Sequence, residues 1–290
     1  TGPLSAAQKR KIQGLGVCVP GFLDRENRTV VRSVNIRGFR DFSISDAFRE
    51  VGVPVILEES SRSMALAEKW FGEIPKSEPV APLAAQPVVL TEEKRFVIED
   101  KVQLPRVYLA WPTPPVYSPP SAALDALASL LADGKNSRLY KRLVYDLEVA
   151  QDVVAFQRSG AVASIFVVWV TARRGHTLED IVALVDEEIA RIQAEPPAER
   201  EVVRFQNRTE AALDDSLERV GGSGGKADQL NGYHVHTGNP DYFEVDLARY
   251  RSLAPNDVQA VATRYLGPGR VVFSFVPEGK TELAVAEVTR

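Results

Sequence analysis

The sequence predicts a protein of α+β class that consists of two unequal parts. In residues 1–72, short apolar strands alternate with helices from about residue 12 onward, which is the pattern of a small α/β segment. In residues 91–280, strands with one apolar face are followed by long amphipathic helices. Residues 73–90 are rich in Pro and Ala without a sustained hydrophobic period, so they predict a linker between the two parts. Residues 281–290 are predicted to form a loosely held tail.

The first part begins with the short apolar strand LGVCVP over residues 15–20. Two further strands are predicted over 29–33 and 53–58. Helices are predicted over 44–51 and 61–71, the second with Met, Ala, Leu and Trp side chains available for packing. This alternation is the basis for placing the first part in the α/β class.

The second part opens with strands over 95–99 and 106–111, where apolar and polar side chains alternate. Apolar residues at helical spacing over 124–131 predict a helix that ends at Asp133. Residues 137–149 predict a second helix. The sequence therefore predicts a strand, a helix, a short turn and another helix in direct succession.

A β-hairpin is predicted next, because residues 153–157 and 163–172 are both strand-like and the second is apolar enough to lie centrally. Thr177 is predicted to cap the following helix, since Asp180 comes three residues later. The remaining predicted elements are helices over 181–192, 198–220, 241–252 and 256–266 and a final strand over 271–276.

Composition excludes several classes of function. The 290 residues carry a formal net charge of -4, and no basic face stands out that would suit a nucleic acid. The single cysteine, Cys18, allows neither an internal disulfide nor a cluster of thiolate ligands. No apolar run has membrane-spanning length. We therefore expect no nucleic-acid partner and no membrane span.

Three segments of the second part carry a family resemblance: LLADGKNSRLYKRLVYD, SLERVGGSGGKADQLNGYHVHTGNPDYFEVDLARY and LAPNDVQAVATRYLGPGRVVFSFVPEG. They resemble one lobe of the insulinase/pitrilysin-type metallopeptidases, which include the mitochondrial processing peptidase. The resemblance implies an antiparallel sheet covered by helices on one side. It also implies a non-catalytic lobe, because catalysis in this family needs the zinc motif His-x-x-Glu-His.

The chain has three histidines, His176, His234 and His236, and none belongs to a His-x-x-Glu-His motif. A His-x-His pair on an exposed strand could bind zinc, but no third ligand stands out, so we interpret His234 and His236 as loop residues. We predict no catalytic residue, no metal and no cofactor in this chain. The resemblance implies that zinc is carried only by a partner lobe.

In many members of this family, the non-catalytic lobe supplies an Arg and, two helical turns later, a Tyr that touch the substrate backbone. The matching positions here are Val144 and Gln151, so the Arg contact to a carbonyl oxygen is lost. Arg142 and Tyr145 lie nearby at a different spacing, and Arg142 is interpreted as part of a solvated face. The acidic pair Glu187-Glu188 is interpreted in the same way.

The run GGSGGK over residues 221–226 is rich in glycine. Ala227 follows its lysine, and a long predicted helix precedes it. A phosphate loop needs Ser or Thr after the lysine and a strand before the loop. We therefore predict a flexible break between helices that could let the lobe open and close. The predicted hinge residues are Gly221, Gly222, Gly224 and Gly225.

The first part resembles a different family through GLGVCVPGFLDRE, SVNIRGFRD and VPVILEESSRSMALAEKWFG. These segments resemble the ROK (repressor, open reading frame, kinase) sugar kinases and regulators, which implies a truncated segment of ROK/actin-like ATPase type. The resemblance places the sugar-contacting Asn at Asn35 and puts Ser60 where the family has its catalytic Asp. A hydroxyl without a neighbouring base cannot accept the sugar proton, so kinase activity is not expected.

Our leading hypothesis is a non-catalytic lobe that closes a peptide-binding chamber with a zinc-bearing lobe or subunit, or as a homodimer. Its ligand would be extended peptide. The alternatives are a ROK-type sugar-binding regulator or remnant kinase that uses Asn35, and a purely structural subunit. The peptidase hypothesis implies a periplasmic or secreted protein, whereas the ROK hypothesis implies a cytoplasmic one.

Overall fold

A computed structural model describes residues 15–19, 22–24, 29–32, 40–43, 46, 55–59, 69, 72–73, 84, 88–219 and 224–286. The chain divides into two compact units, Thr1–Ala81 and Pro82–Arg290. The helices predicted over 44–51 and 61–71 lie almost entirely outside the described residues, as do Asn35, Ser60, Gly221 and Gly222.

The described residues of the first unit form two small sheets. A parallel pair joins β1 to β5, and an antiparallel sheet has the order β2-β3-β4. Strands are therefore present at all three predicted positions. The strands are β1 (Leu15–Val19), β2 (Phe22–Asp24), β3 (Thr29–Arg32), β4 (Arg40–Ser43) and β5 (Val55–Glu59).

The second unit is built on a five-stranded sheet with the order β6-β10-β7-β9-β8. Neighbouring strands are antiparallel except for β6 and β10, which run parallel. The last strand among the described residues, β10, therefore lies between β6 and β7, the two that come first in this unit. The strands are β6 (Lys94–Asp100), β7 (Arg106–Thr113), β8 (Ala150–Arg158), β9 (Ser164–Ala172) and β10 (Val271–Pro277).

Helices form the other layer of the second unit. Thr177 caps α2 as predicted, because its hydroxyl accepts a hydrogen bond from the Asp180 backbone N–H at 3.2 Å. Pro255 occupies the first position of α6, where its missing N–H costs no hydrogen bond. The helices are α1 (Ser121–Ala132), α2 (Leu178–Ala194), α3 (Glu199–Glu218), α4 (Lys226–Thr237), α5 (Phe243–Arg251) and α6 (Pro255–Tyr265).

Two helical segments differ from the sequence-based prediction. The helix predicted over 137–149 is a π-helical segment at Tyr140–Asp146, in which each turn is wider than in an α-helix. Helix α4 was not predicted, because its apolar residues show little helical periodicity and glycines precede it. No helix among the described residues is both long and apolar enough to cross a membrane.

The core lies between one face of the five-stranded sheet and the helices. Val107, Leu109 and Trp111 of β7 are fully buried on this face, as the alternation in the sequence predicted. Helix α1 contributes Leu124 and Leu127, which are also fully buried. Each such side chain stabilises the fold by about 1.5–3 kcal/mol relative to exposure to water. Because the helices cover this face, the opposite face is the one on which the sheet is left without a covering layer.

Candidate functional site

The face of the five-stranded sheet opposite the buried core is the first candidate surface, and we call it the open face. Aromatic rings cross it from strand to strand, with centroid separations of 4.9 Å for Phe96 and Phe273, 5.4 Å for Tyr108 and Phe275, and 5.3 Å for Tyr108 and Trp169. Strand register places them together, since Tyr108 is the partner of both Trp169 and Phe273. The result is a row of aromatic side chains across the sheet.

Both ends of this aromatic row are accessible to solvent. Phe96 on edge strand β6 is 45% exposed, and Phe156 on the opposite edge strand β8 is 37% exposed. Between them, Trp169 is half-buried and does not belong to the fully buried core. Trp111, on the other face, is fully buried.

A charged pair lies beside the aromatic row. The Arg106 guanidinium is 4.9 Å from the ring centroid of Trp169 and 3.7 Å from a carboxylate oxygen of Asp152. It also donates a hydrogen bond to the Thr171 hydroxyl at 2.8 Å. This arrangement fixes a cation next to an aromatic surface. Such a surface can bind a peptide, because the cation pairs with backbone carbonyl oxygens while the rings contact apolar side chains.

The second candidate surface is the corner formed by the π-helical segment and the start of β8. Leu147 N–H donates to the Arg142 carbonyl at 2.9 Å, which is the wide hydrogen-bond spacing of a π-helix. Glu148 then adopts a left-handed backbone conformation with φ of 53°, which turns the chain sharply into the strand. Tyr145 is 74% exposed at this corner.

Val144 and Gln151, which the sequence analysis predicted at the substrate-contact positions, lie on either side of this corner, and their role in substrate contact stays a prediction. Val144 is half-buried and packs against the hydrophobic core, so its side chain is committed to the fold. Gln151 is exposed at an irregularity in β8, where the pairing register shifts between Ala150 and Asp152. Gln151 is therefore accessible to a ligand, and Val144 is not. The neighbouring Tyr145 is the most exposed aromatic side chain at this corner.

A cluster of ion pairs holds the corner against helices α2 and α3. Arg138 donates to both carboxylate oxygens of Glu201, at 2.9 and 2.8 Å. Hydrogen bonding to Glu201, together with the charges of Glu201 and Glu188, raises the pKa of Arg138 despite partial burial. Arg138, which lies in the helical turn just before the π-helical segment, thereby joins this corner to α3.

Glu188 is the centre of this cluster. The prediction that Glu188 belongs to a solvated helix face was wrong. Its side chain is only about 6% exposed and lies 3.6 Å from Arg138, 3.7 Å from Arg142 and 3.0 Å from Arg191. Arg142 also pairs with Glu187 and contributes to this packing, so it is not a freely solvated residue either. The buried charge is tolerated because three guanidinium groups surround it.

The glycine-rich break is described only in its second half. Gly224 has a positive φ of 74°, which a residue with a Cβ adopts at a cost. Its backbone N–H donates to the Asp228 carboxylate at 2.8 Å, and Gly225 then caps the start of α4. The role of Gly221, Gly222, Gly224 and Gly225 as a hinge stays a prediction.

His234 and His236 lie in the last turn of α4, so their interpretation as loop residues was wrong. Both are exposed, and two residues apart on a helix they project from different sides. His176 lies in the loop before α2. Within the described ranges, no group of three or more His, Cys, Asp or Glu side chains could hold a metal ion.

Comparison with known families identifies this architecture. Residues 58–209, just over half of the chain, match the family described as the peptidase M16 inactive domain. The chain belongs to the M16 inactive-domain family. The resemblance to one lobe of the insulinase-type peptidases is therefore confirmed. Residues 4–80 match the ROK family, so the two matches overlap over residues 58–80.

Solved structures similar to this chain include M16 proteins. A protease from Helicobacter pylori superposes with a TM-score of 0.63 at 18% identity, covering 77% of this chain and 55% of that one. The peptidase M16 inactive domain from Pseudomonas fluorescens gives 0.60 at 18% identity, with coverages of 81% and 53%. An inactive peptidase domain from Bordetella parapertussis gives 0.54 at 20% identity, with coverages of 62% and 96%.

Curated relatives of this chain match it over short stretches. A glucokinase from Halalkalibacterium halodurans is 35% identical over 65 residues, which are 22% of this chain and 19% of the kinase. A xylose repressor from Caldicellulosiruptor bescii is 34% identical over 62 residues, which are 21% of this chain and 16% of the repressor. The chain thus spans about a fifth of the length of the curated relatives it matches.

The M16 inactive domain also contains a buried polar network that sequence reasoning missed. Tyr250 donates a hydrogen bond from its hydroxyl to Asp125 on α1 at 3.0 Å, and Tyr233 donates to Asp246 at 3.0 Å. Burial raises the pKa of Asp125 to about 6, although the Tyr250 hydrogen bond opposes the shift. The sequence did contain one indication of this network, because Asp246 and Tyr250 are one helical turn apart and therefore lie on the same face of α5.

Proposed function

We propose that this chain is the non-catalytic lobe of an M16-type peptidase and closes a peptide-binding chamber with a zinc-bearing lobe or subunit. The observation that carries this proposal is the aromatic row on the open face of the sheet. A contiguous apolar surface with a polar rim is typical of an interaction site. The relatives in this family are inactive peptidase domains, which supports a role beside a catalytic partner.

The chemistry of the open face favours extended peptide. Aromatic side chains at alternate strand positions leave shallow spaces for peptide side chains, while Arg106 offers donors to carbonyl oxygens. The edges at β6 and β8 offer backbone groups to which a peptide strand can pair. Water activation for hydrolysis would come from zinc in the partner.

This function also suggests a compartment. The similar structures include a periplasmic protease from Escherichia coli, with a TM-score of 0.56 at 18% identity and coverages of 79% and 26%. The peptidase function would place this chain in the periplasm or outside the cell, as expected from the resemblance.

Fluorescence polarisation with a labelled unstructured peptide tests the proposal. The variant F96S/F156S changes the two exposed ends of the aromatic row without opening the helix-covered core. The matched control V203S/V235S removes two exposed apolar side chains from helices α3 and α4 instead. We expect saturable peptide binding that F96S/F156S weakens and V203S/V235S leaves unchanged. No binding at high micromolar protein, or equal loss in both variants, would contradict the proposal.

The second candidate function is sugar binding by the ROK-like first part, which the match over residues 4–80 favours. It is tested in the same assay by adding glucose and N-acetylated sugars as competitors, and directly by sugar titration of N35A. Sugar binding that N35A abolishes would support the ROK candidate. Peptide binding that is unaffected by sugars would support the peptidase lobe.

A further inference from the structure

A cavity of about 530 Å³ lies at the end of the five-stranded sheet where β7 ends. Its walls come from the segment before β6, the prolines that follow β7, the loop before β9 and the turn between α6 and β10. All of these segments belong to the second unit. The volume is within the range of about 300–1,000 Å³ that is usual for ligand sites in proteins.

Hydrogen bonds and close packing preform the cavity. The Trp111 indole donates from Nε1 to the Gly267 carbonyl at 2.9 Å, which fixes the turn to the end of β7. The Arg270 guanidinium lies 5.5 Å from the Trp111 ring centroid and donates to Asp186 at 2.8 Å. A Cβ on Gly269 would lie 1.8 Å from the Leu90 carbonyl oxygen, so only glycine allows this approach. The walls are therefore held in place without a ligand.

The lining is mainly apolar, with a cluster of proline rings, and it carries two polar side chains that have no hydrogen-bond or ion-pair partner among the described residues. Thr113 is 6% exposed, and its hydroxyl has no hydrogen-bond partner among the residues that the structure describes. Arg264 is exposed at the lining with its guanidinium 5.3 Å from the Tyr265 ring centroid. No carboxylate of the described residues lies within ion-pair distance of Arg264.

We propose that this cavity binds the C-terminal residue of an extended peptide. The apolar side chain of that residue fills the proline-lined cavity, and its free carboxylate pairs with Arg264. This inference rests on the proposed peptide-binding function and adds to it the end of the peptide that is recognised. The open face alone does not distinguish a peptide end from an internal segment.

The charge and the shape of the site together favour a peptide end. A guanidinium without an acidic partner, next to an apolar cavity, complements a ligand that is anionic at one point and apolar elsewhere. Internal peptide segments carry no such charge on their backbone. Cleavage of a peptide bond creates a new C-terminal carboxylate, so a lobe beside a peptidase centre meets this group at every turnover. The cavity would hold the product or substrate by that end.

The test uses the full chain and a short fluorescein-labelled peptide that ends in Phe, as the free acid and as the C-terminal amide. We expect amidation to weaken binding about tenfold or more, the usual effect of losing one charge-assisted hydrogen bond. R264Q should weaken binding of the acid to the level of the amide and leave the amide unchanged.

The matched control is R200Q, which removes an exposed arginine on α3 outside the cavity and should leave both affinities unchanged. If acid and amide bind equally well, or if R264Q does not remove their difference, the C-terminal site is overturned while peptide binding stands. If neither peptide binds, the proposed function itself fails. Retention of the wild-type circular dichroism spectrum by R264Q shows that the loss is not due to unfolding.

Discussion

Replacing Asp125 by Asn should stabilise the second unit at neutral pH and flatten the pH dependence of its stability. Burial raises the pKa of this carboxyl from 3.8 to about 6, even though Tyr250 donates a hydrogen bond to it. The folded state therefore holds a proton more tightly than the unfolded chain between these two values. The contribution of protonated Asp125 to the free energy of unfolding is fully present below pH 3.8 and is lost as pH rises through about 6.

The magnitude follows from the two pKa values. At about 1.36 kcal/mol for each unit of pKa, the rise from 3.8 to about 6 corresponds to about 3 kcal/mol. An Asn side chain keeps an oxygen that accepts the Tyr250 hydrogen bond at 3.0 Å but carries no charge to desolvate. D125N should therefore gain about 1–3 kcal/mol over wild type above pH 7 and little near pH 4.

Urea unfolding across this pH range measures the effect, with tryptophan fluorescence as the signal because Trp111 is buried in the same core. Burial also raises the pKa of Asp246, so the difference between the D125N and wild-type curves is the quantity to compare. D214N, at an exposed position on α3, is the matched control and should follow wild type. A D125N curve parallel to that of wild type would refute the reasoning.

Two further perturbations test the corner formed by the π-helical segment. R138M removes both hydrogen bonds to Glu201 and one of the cations around Glu188, so we expect a loss of about 2–3 kcal/mol in unfolding free energy. R138K keeps the charge without the bidentate geometry and should fall between R138M and wild type, whereas an R138M protein as stable as wild type would contradict the role of the cluster. Y145A removes a side chain that is 74% exposed, so thermal unfolding should change little. If the corner contacts peptide, Y145A should lower peptide affinity several-fold in the polarisation assay, and unchanged affinity would remove Tyr145 from the site.

The sequence was sufficient for elements whose apolar side chains follow a regular period. Strand β7 and helix α1 are of this kind, and Thr177 marks the start of α2 through local chemistry alone. The π-helical segment was predicted as an α-helix because the apolar pattern does not specify the width of a turn. Helix α4 shows a weak pattern and was not predicted.

The candidate site was harder to predict, because its properties depend on residues distant in the sequence. The burial of Glu188 is stabilised by the guanidinium groups of Arg138 and Arg142, which are distant in the sequence, as well as by Arg191 of α2, so a local charge pattern could not show it. The aromatic row depends on the strand order and register that place Phe96 beside Phe273. The family resemblance did predict the fold of the second unit, because a known fold specifies which distant segments of the chain lie next to one another.

The position of β10 has a consequence for how the protein is made. Val272 pairs with Arg95 on one side and with Leu109 on the other, so the sheet is continuous only when this late strand is in place. While the chain is being synthesised, the edges of β6 and β7 that later pair with β10 stay unpaired until residues 271–277 have left the ribosome. The sheet is therefore completed only after the helices between β9 and β10 have been synthesised, and the unpaired strand edges favour aggregation until then.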